Sequence, residues 1–220
     1  MNRFSFAIVV LLSLLSCSKE ANFTSDITKG LEKDNFDNKL ADLSLKTEKG
    51  LITFKNSLKQ DGMSLVSNES INLLHMSLGI KDFSKTAKIG NQKTNDFLIT
   101  DKQREHIKNL ALLLSNSNNS EEVYQILEED KKRILNSDYT VNELIFLMDF
   151  NNSVRISTEF LERELVSHYG ITARRSWWGC LKKAYADLTD DFVGLMAVAV
   201  NPGPCCAAIV VGGTINYLIQ

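Results

Sequence analysis

Residues 192–220 contain no Asp, Glu, Lys or Arg. The segment has two apolar runs, 192–200 and 205–220, on either side of the turn sequence Asn-Pro-Gly-Pro. Each run is shorter than the ~20 apolar residues that a helix needs to span a bilayer. Because apolar surface is stabilised by leaving water, the pattern predicts an apolar helical hairpin in the core of a helical domain. A β-hairpin is the alternative, since Ile209-Val210-Val211 favours strand, but Ala, Leu and Met in 192–200 favour helix.

A second interpretation makes the C-terminal part of the chain a membrane-active or partner-inserting segment. Basic and aromatic side chains often lie at a membrane boundary, and Arg174-Arg175 precede two tryptophans. The residues that would then contact a membrane or a partner are Trp177, Trp178, Phe192, Leu195 and Met196. The simpler expectation is that the tryptophans anchor the core.

Between residues 36 and 170, apolar residues recur three and four positions apart, the spacing of one face of a helix. The chain has only two prolines. The pattern predicts a helix from Phe36 to a stop at Asp61-Gly62, and a second from an N-cap at Asn68 to Gly79. Further helices are predicted over 101–115 and after the break at 116–122. The fold class is therefore all-α, a helical bundle.

A capping box, Thr140 with Glu143, predicts the start of a long helix. Gly170 is expected to end it, because glycine commonly follows the last helical residue. Ser176 is the expected N-cap of an amphipathic helix that precedes the apolar hairpin.

The N-terminus has the layout of a secretory signal. Arg3 precedes an apolar stretch that is too short for a membrane span. Leu14-Leu15-Ser16-Cys17 then resembles the lipobox of bacterial lipoproteins. The resemblance covers residues 1–17 and implies that Cys17 becomes the acylated first residue, with palmitate or another fatty chain. More than one acyl chain gives stable membrane anchoring without a transmembrane helix. A plain secretory signal with an incidental cysteine is the alternative.

The residues after Cys17 bear on location. Ser18-Lys19-Glu20 resembles the export signal of Bacteroidota surface lipoproteins. The resemblance implies the outer membrane, with exposure at the cell surface as a further option. The predicted organisation is a signal peptide over 1–16, a lipidated flexible tether over 17–35, a helical domain over 36–170, and an amphipathic helix plus apolar hairpin over 171–220.

Three cysteines remain beside Cys17: Cys180, Cys205 and Cys206. In an oxidising compartment they suggest a disulfide from Cys180 to Cys205 or Cys206. A bond between the adjacent Cys205 and Cys206 is strained and less favoured. Buried free thiols are the next alternative. A metal site is the least favoured alternative, because the chain has no CxxC pair.

The sequence names no reaction. The nucleophile elbow, the Walker loop, the dinucleotide fingerprint and HExxH are all absent from it. Glu164 and His168 share a helix face, but a surface ion pair explains them better than catalysis. The formal net charge is −2, and loss of Arg3 makes it about −3, which gives no reason to expect a nucleic-acid partner.

These observations predict a lipid-anchored bacterial envelope protein without catalytic residues, metal or cofactor. Its expected role is binding or surface interaction with a protein partner, and its membrane contact is the lipid on Cys17. The alternative function is a membrane-perturbing toxin or bacteriocin-like precursor, with 171–220 as the active segment.

Overall fold

The computed structural model describes the backbone of residues 33–80, 99–188 and 202–220, and within them the side chains of 36–80, 99–165, 177–188 and 202–220. Every regular element in these ranges is helical, so the predicted all-α fold is confirmed. The predictions for the signal peptide, Cys17, the tether up to residue 32 and the 192–200 arm, which includes Phe192, Leu195 and Met196, lie outside the described residues. Residues 33–35 of the predicted tether are helical.

The helices follow one another in a bundle. Their bounds are α1 Lys33–Gln60, α2 Asn68–Ser77, α3 Asp101–Ser115, α4 Ser120–Leu135, α5 Val141–Asp187, α6 Pro202–Ala207 and α7 Gly213–Ile219, with a π-helical turn at Ala208–Gly212 between the last two. α6, the turn and α7 form one continuous element, called here the C-terminal helix.

Local capping chemistry explains where several helices begin. The Thr140 side chain accepts a hydrogen bond from the Glu143 backbone N–H, and Glu143 reaches back to the Thr140 backbone, as the sequence predicts. Thr100 and Gln103 form the same box at the start of α3. Each such cap stabilises a helix by about 1 kcal/mol. The N-cap of α2 is Ser67 rather than Asn68, because the Ser67 hydroxyl accepts from the Ser70 N–H.

The element α5 is the longest, with 47 residues in helical conformation. It folds back on itself, because the hydroxyls of Thr158 and Tyr185 lie 2.6 Å apart, whereas a straight helix would hold these residues about 40 Å apart. It packs against α1, α3, α4 and the C-terminal helix. The backbone is helical at Gly170 and Ser176, so the predicted N-cap at Ser176 is wrong. The chain nevertheless reverses direction between Thr158 and Tyr185, the interval that contains the predicted stop at Gly170 and the predicted boundary between 170 and 171.

Packing accounts for the position of the second arm of α5. Its last turns bury several large side chains. Those with 2% exposure or less are Trp177, Leu181 and Tyr185, with Leu188 at the C-cap. The Tyr185 hydroxyl also lies 2.6 Å from the Thr158 hydroxyl of the first arm. Burial of that size stabilises the contact between the two arms.

The two tryptophans anchor the core, as the simpler expectation has it. Trp177 is 2% exposed, and Trp178 is partly buried against the core. Their rings meet edge to face with centroids 5.6 Å apart. Neither indole N–H has a hydrogen-bond partner within the described part of the chain.

The C-terminal helix lies in the centre of the bundle. It contacts α5 along its length, α1 through α6, and α2 through the π-helical turn and α7. Its length and composition would suffice to cross a membrane, but 72% of Pro202–Ile219 is buried inside the protein. The helical form predicted for the second arm of the hairpin is thus observed.

This position makes a stability prediction. Ile215 is fully buried in α7, whereas Ile52 on α1 is 54% exposed. Ile215→Ala should lower the free energy of unfolding by about 2–5 kcal/mol, and the matched Ile52→Ala by less than about 0.5 kcal/mol. Urea denaturation followed by circular dichroism measures both, and equal small losses would contradict the central placement of the helix.

Candidate functional site

A cavity of about 360 Å³ lies where the end of α1 and the following turn meet α5. Ligand pockets in proteins typically have volumes of about 300–1,000 Å³, so this one suits a small molecule. Its apolar wall consists of Leu58, Met63, Leu65 and Phe160. Polar lining comes from Lys55, Lys59, Ser64 and Glu164, and Gly62 completes the turn.

The turn that forms the cavity follows from the helix stop predicted at Asp61-Gly62. The Met63 N–H donates to the Leu58 carbonyl at 2.9 Å, and the Gly62 N–H donates to the Lys59 carbonyl at 3.4 Å. This pair of bonds is a Schellman motif, whose left-handed residue is usually glycine, and Gly62 has φ 62°. The motif brings Met63 back beside Leu58, which places both side chains in the cavity wall.

The charged side of the cavity depends on an ion pair between helices. The Lys55 ammonium donates to Glu164 Oε1 at 2.6 Å, and Arg163 donates to the same oxygen at 2.9 Å. Glu164 is 4% exposed. Burial by itself would raise the pKa of Glu164, but the bonds from Lys55 and Arg163 hold it below its usual value. The carboxylate is therefore ionised at neutral pH.

Sequence reasoning treated Glu164 as a surface partner of His168 on the same helix. The structure instead buries Glu164 and pairs it with α1, 109 residues away in the chain. The side chain of His168 lies outside those the structure describes. The interpretation of Glu164 as an exposed residue is therefore wrong.

Lys59 supplies a second cation at the cavity. It stands one turn after Lys55, in the last turn of α1, and its side chain is exposed. No ion pair to Lys59 occurs among the residues that the structure describes. Its ammonium is consequently available to a ligand without breaking a contact of the protein.

A second polar group of residues lies in the interior, at the start of the C-terminal helix. The Gly203 N–H donates to Asp149 Oδ2 at 2.9 Å, and the Thr47 and Ser153 hydroxyls are 3.3 Å apart. A methyl group on Gly203 would overlap both hydroxyls and Asp149. The absence of a side chain there thus permits the C-terminal helix to approach α1 and α5.

Asp149 is fully buried, and its Oδ1 has no hydrogen-bond partner in the described ranges. Burial raises its pKa to about 6, against the opposing effects of the Gly203 N–H and the charge of Lys46. A carboxyl in the apolar run 145–150 was the sequence signal for this site, and the sequence reasoning passed over it.

The thiols beside Asp149 are inert. Cys205 and Cys206 are buried, Cys180 is half-buried, and all three are free, so the expected disulfide is absent from the structure. Burial raises the pKa of Cys205 to about 12, with a further contribution from Asp149. Because the thiolate is the reactive form, these cysteines behave as small apolar side chains.

A third polar group joins α3, α4 and α5. Asn151 donates to Asp130 Oδ2 at 2.9 Å and to the Leu127 carbonyl at 3.0 Å. His106 Nε2 lies 3.0 Å from Asp130 Oδ1, and its Nδ1 lies 3.1 Å from the Tyr139 hydroxyl. These contacts link three helices, and Asp130 and Asn151 are buried among them. Their role is packing.

No cluster of three or more metal-ligating side chains occurs within the described ranges. The cavity lined by Lys55, Lys59 and Glu164 has room for a ligand. Its components lie far apart in the sequence, so the sequence reasoning did not identify it.

Comparisons with protein-family models, with curated proteins and with solved structures find no match to this chain. A function for this chain is therefore inferred from the chain's own residues.

The buried carboxyl predicts a pH dependence. Its pKa is higher in the folded chain than its usual value, so the folded state holds the proton more tightly than the unfolded state. The corresponding stability is present at pH 4 and is lost as the pH rises through 6. Asp149→Asn keeps the acceptor for Gly203 but removes this loss. Between pH 4 and 7 the variant should gain about 2–3 kcal/mol relative to the unmodified chain.

Urea denaturation across that pH range measures the difference, and pH 4 serves as the reference because residue 149 is neutral there in the folded state of both proteins. Parallel stability curves for the two proteins would contradict the raised pKa.

Proposed function

We propose that this chain is a lipid-anchored protein of the bacterial envelope whose helical body binds a small molecule without catalysing a reaction. The observation that carries the binding role is the cavity between α1 and α5, with its apolar wall and its available cation. The anchoring role is supported by the lipobox-like Leu14-Leu15-Ser16-Cys17.

The position of the cavity suits an anchored protein. α1 begins at Lys33, within the last three residues of the predicted tether, and Lys55 is 22 positions further along the same helix. At 1.5 Å per residue, this separation is roughly 33 Å. The cavity thus lies toward the end of α1 that is remote from the predicted anchor, where a ligand from solution can reach it.

The membrane-perturbing alternative has less support. It requires residues 171–220 to leave the body, although Trp177 and most of the C-terminal helix are buried in the core. Exposing that apolar surface costs about 25 cal/mol per Å². A vesicle-leakage assay with the full chain tests this alternative, and leakage at low protein-to-lipid ratio would favour it over the binding role.

The proposed lipid anchor leads to a testable prediction. In a bacterial host, the unmodified chain should sediment with the membranes, incorporate labelled palmitate and lack residues 1–16. Cys17→Ala should abolish the label and release the protein from the membrane fraction, because the acylated thiol is lost. Cys180→Ala is the matched control and should keep both properties. Intact mass analysis that finds Met1 still attached to the native protein would contradict the proposal.

The proposed binding of a small molecule leads to a further testable prediction. The neutral fluorescent probe N-phenyl-1-naphthylamine should bind the non-acylated Cys17→Ala chain in detergent-free buffer. Met63→Trp replaces a flexible side chain of the cavity wall with a bulky indole ring and should weaken probe binding at least tenfold. Met76→Trp is the matched control, because Met76 is 69% exposed on α2 and lies outside the cavity lining. Equal binding by both variants would remove the cavity as the binding site.

A further inference from the structure

We infer that the cavity selects a small amphiphilic anion, with an apolar body against the wall and a carboxylate at Lys55 and Lys59. This inference rests on the proposed binding function and specifies the chemistry of its ligand. It is supported by the charge balance at the mouth of the cavity, by the hydrogen-bonding capacity of the lysines, and by the composition of the cavity wall.

The charge balance favours an anion. Lys55, Lys59 and Arg163 place three positive charges around the single carboxylate of Glu164. Two of these cations already bond to Glu164 Oε1, at 2.6 Å and 2.9 Å. A cationic ligand would meet the positive charges of Lys55, Lys59 and Arg163. An anionic ligand meets no such repulsion, since the negative charge of Glu164 is already compensated.

The lysines retain donors for a ligand. An ammonium has three N–H donors, and the contact described for Lys55 is the one to Glu164. Lys59 stands four residues later on α1, so the two side chains share a helix face. A carboxylate between them would accept from both ammonium groups, and charge-assisted bonds of this kind are about twice as strong as neutral ones.

The wall limits the remainder of the ligand to apolar groups. Leu58, Leu65 and Phe160 are each 8% exposed or less, and Met63 is a flexible side chain that adapts to irregular shapes. A sugar or another polyhydroxyl body would lose hydrogen bonds to water against these side chains. A volume of about 360 Å³ admits an aliphatic chain or an aromatic body together with its carboxylate.

Three soluble probes of similar size test the charge selection. Octanoate, octanol and octylammonium are titrated into the Cys17→Ala chain by calorimetry and by displacement of N-phenyl-1-naphthylamine. Octanoate should bind at least tenfold more tightly than octylammonium, with octanol between them. Titration of 3-phenylpropanoate distinguishes an aromatic acid from a lipid-derived aliphatic one. Equal affinity for octanoate and octylammonium would overturn the inference.

Variants of Lys59 test the residue assignment. Lys59→Met keeps the length of the side chain and should weaken octanoate binding at least fivefold while leaving octanol binding unchanged. Lys59→Arg should restore most of the loss. Lys39→Met, at an exposed position near the other end of α1, is the matched control and should bind octanoate as the parent chain does. Indistinguishable octanoate affinity in Lys59→Met and Lys39→Met would overturn the assignment.

The two proposals fail separately. If the naphthylamine probe binds in a Met63-dependent way but octanoate does not displace it, the anion inference is overturned and the binding function stands. If the naphthylamine probe itself does not bind, the binding function fails.

Discussion

Burial of the uncharged C-terminal helix against α5 is the constraint on which the bundle depends. An apolar helix of 18 residues is stabilised by removal from water, and its neighbours must together cover it. α5 covers it along its length, while α1 and α2 close other sides. The contact is close enough that a Cβ on Gly213 would lie 3.1 Å from that of Ala184. Both arms of α5 contribute to this cover, since Asp149 accepts from the Gly203 N–H and Asp187 accepts from the Tyr217 hydroxyl.

Bringing that helix into the core has an electrostatic consequence. The first N–H groups of a helix have no acceptors within the helix, and here one of them donates to the buried carboxyl of Asp149. The bond favours a carboxylate, but burial opposes ionisation more strongly and raises the pKa to about 6. The adjacent thiols experience the same apolar surroundings and stay protonated. The interior polar groups therefore hold helices together, and contact with a ligand falls to the cavity at the end of α1.

The cavity and the interior site divide the roles between two parts of the bundle. Thr47, Asp149 and Gly203 are each so closely surrounded that no ligand has room among them. At the end of α1, the Schellman turn instead lines the cavity, opposite Phe160 and Glu164 of α5. The Lys55–Glu164 pair closes one side of the cavity without filling it. A compensated carboxylate beside an available lysine gives the cavity a preference for negative charge that a purely apolar cavity would lack.

The sequence by itself determined the helical class, most helix starts and the ends at Gly62 and Gly79, because caps and left-handed glycines act through backbone groups a few residues apart. It also supplied the lipobox resemblance, which concerns residues outside the described structure. The predicted N-cap at Ser176 is wrong, because the backbone is helical there, whereas the chain does reverse direction between Thr158 and Tyr185, the interval that contains Gly170. Only the tertiary structure decided that Lys55 meets Glu164 and that Asp149 meets Gly203. Those pairings join residues 109 and 54 positions apart, and their strength depends on burial, which no local pattern of the chain encodes.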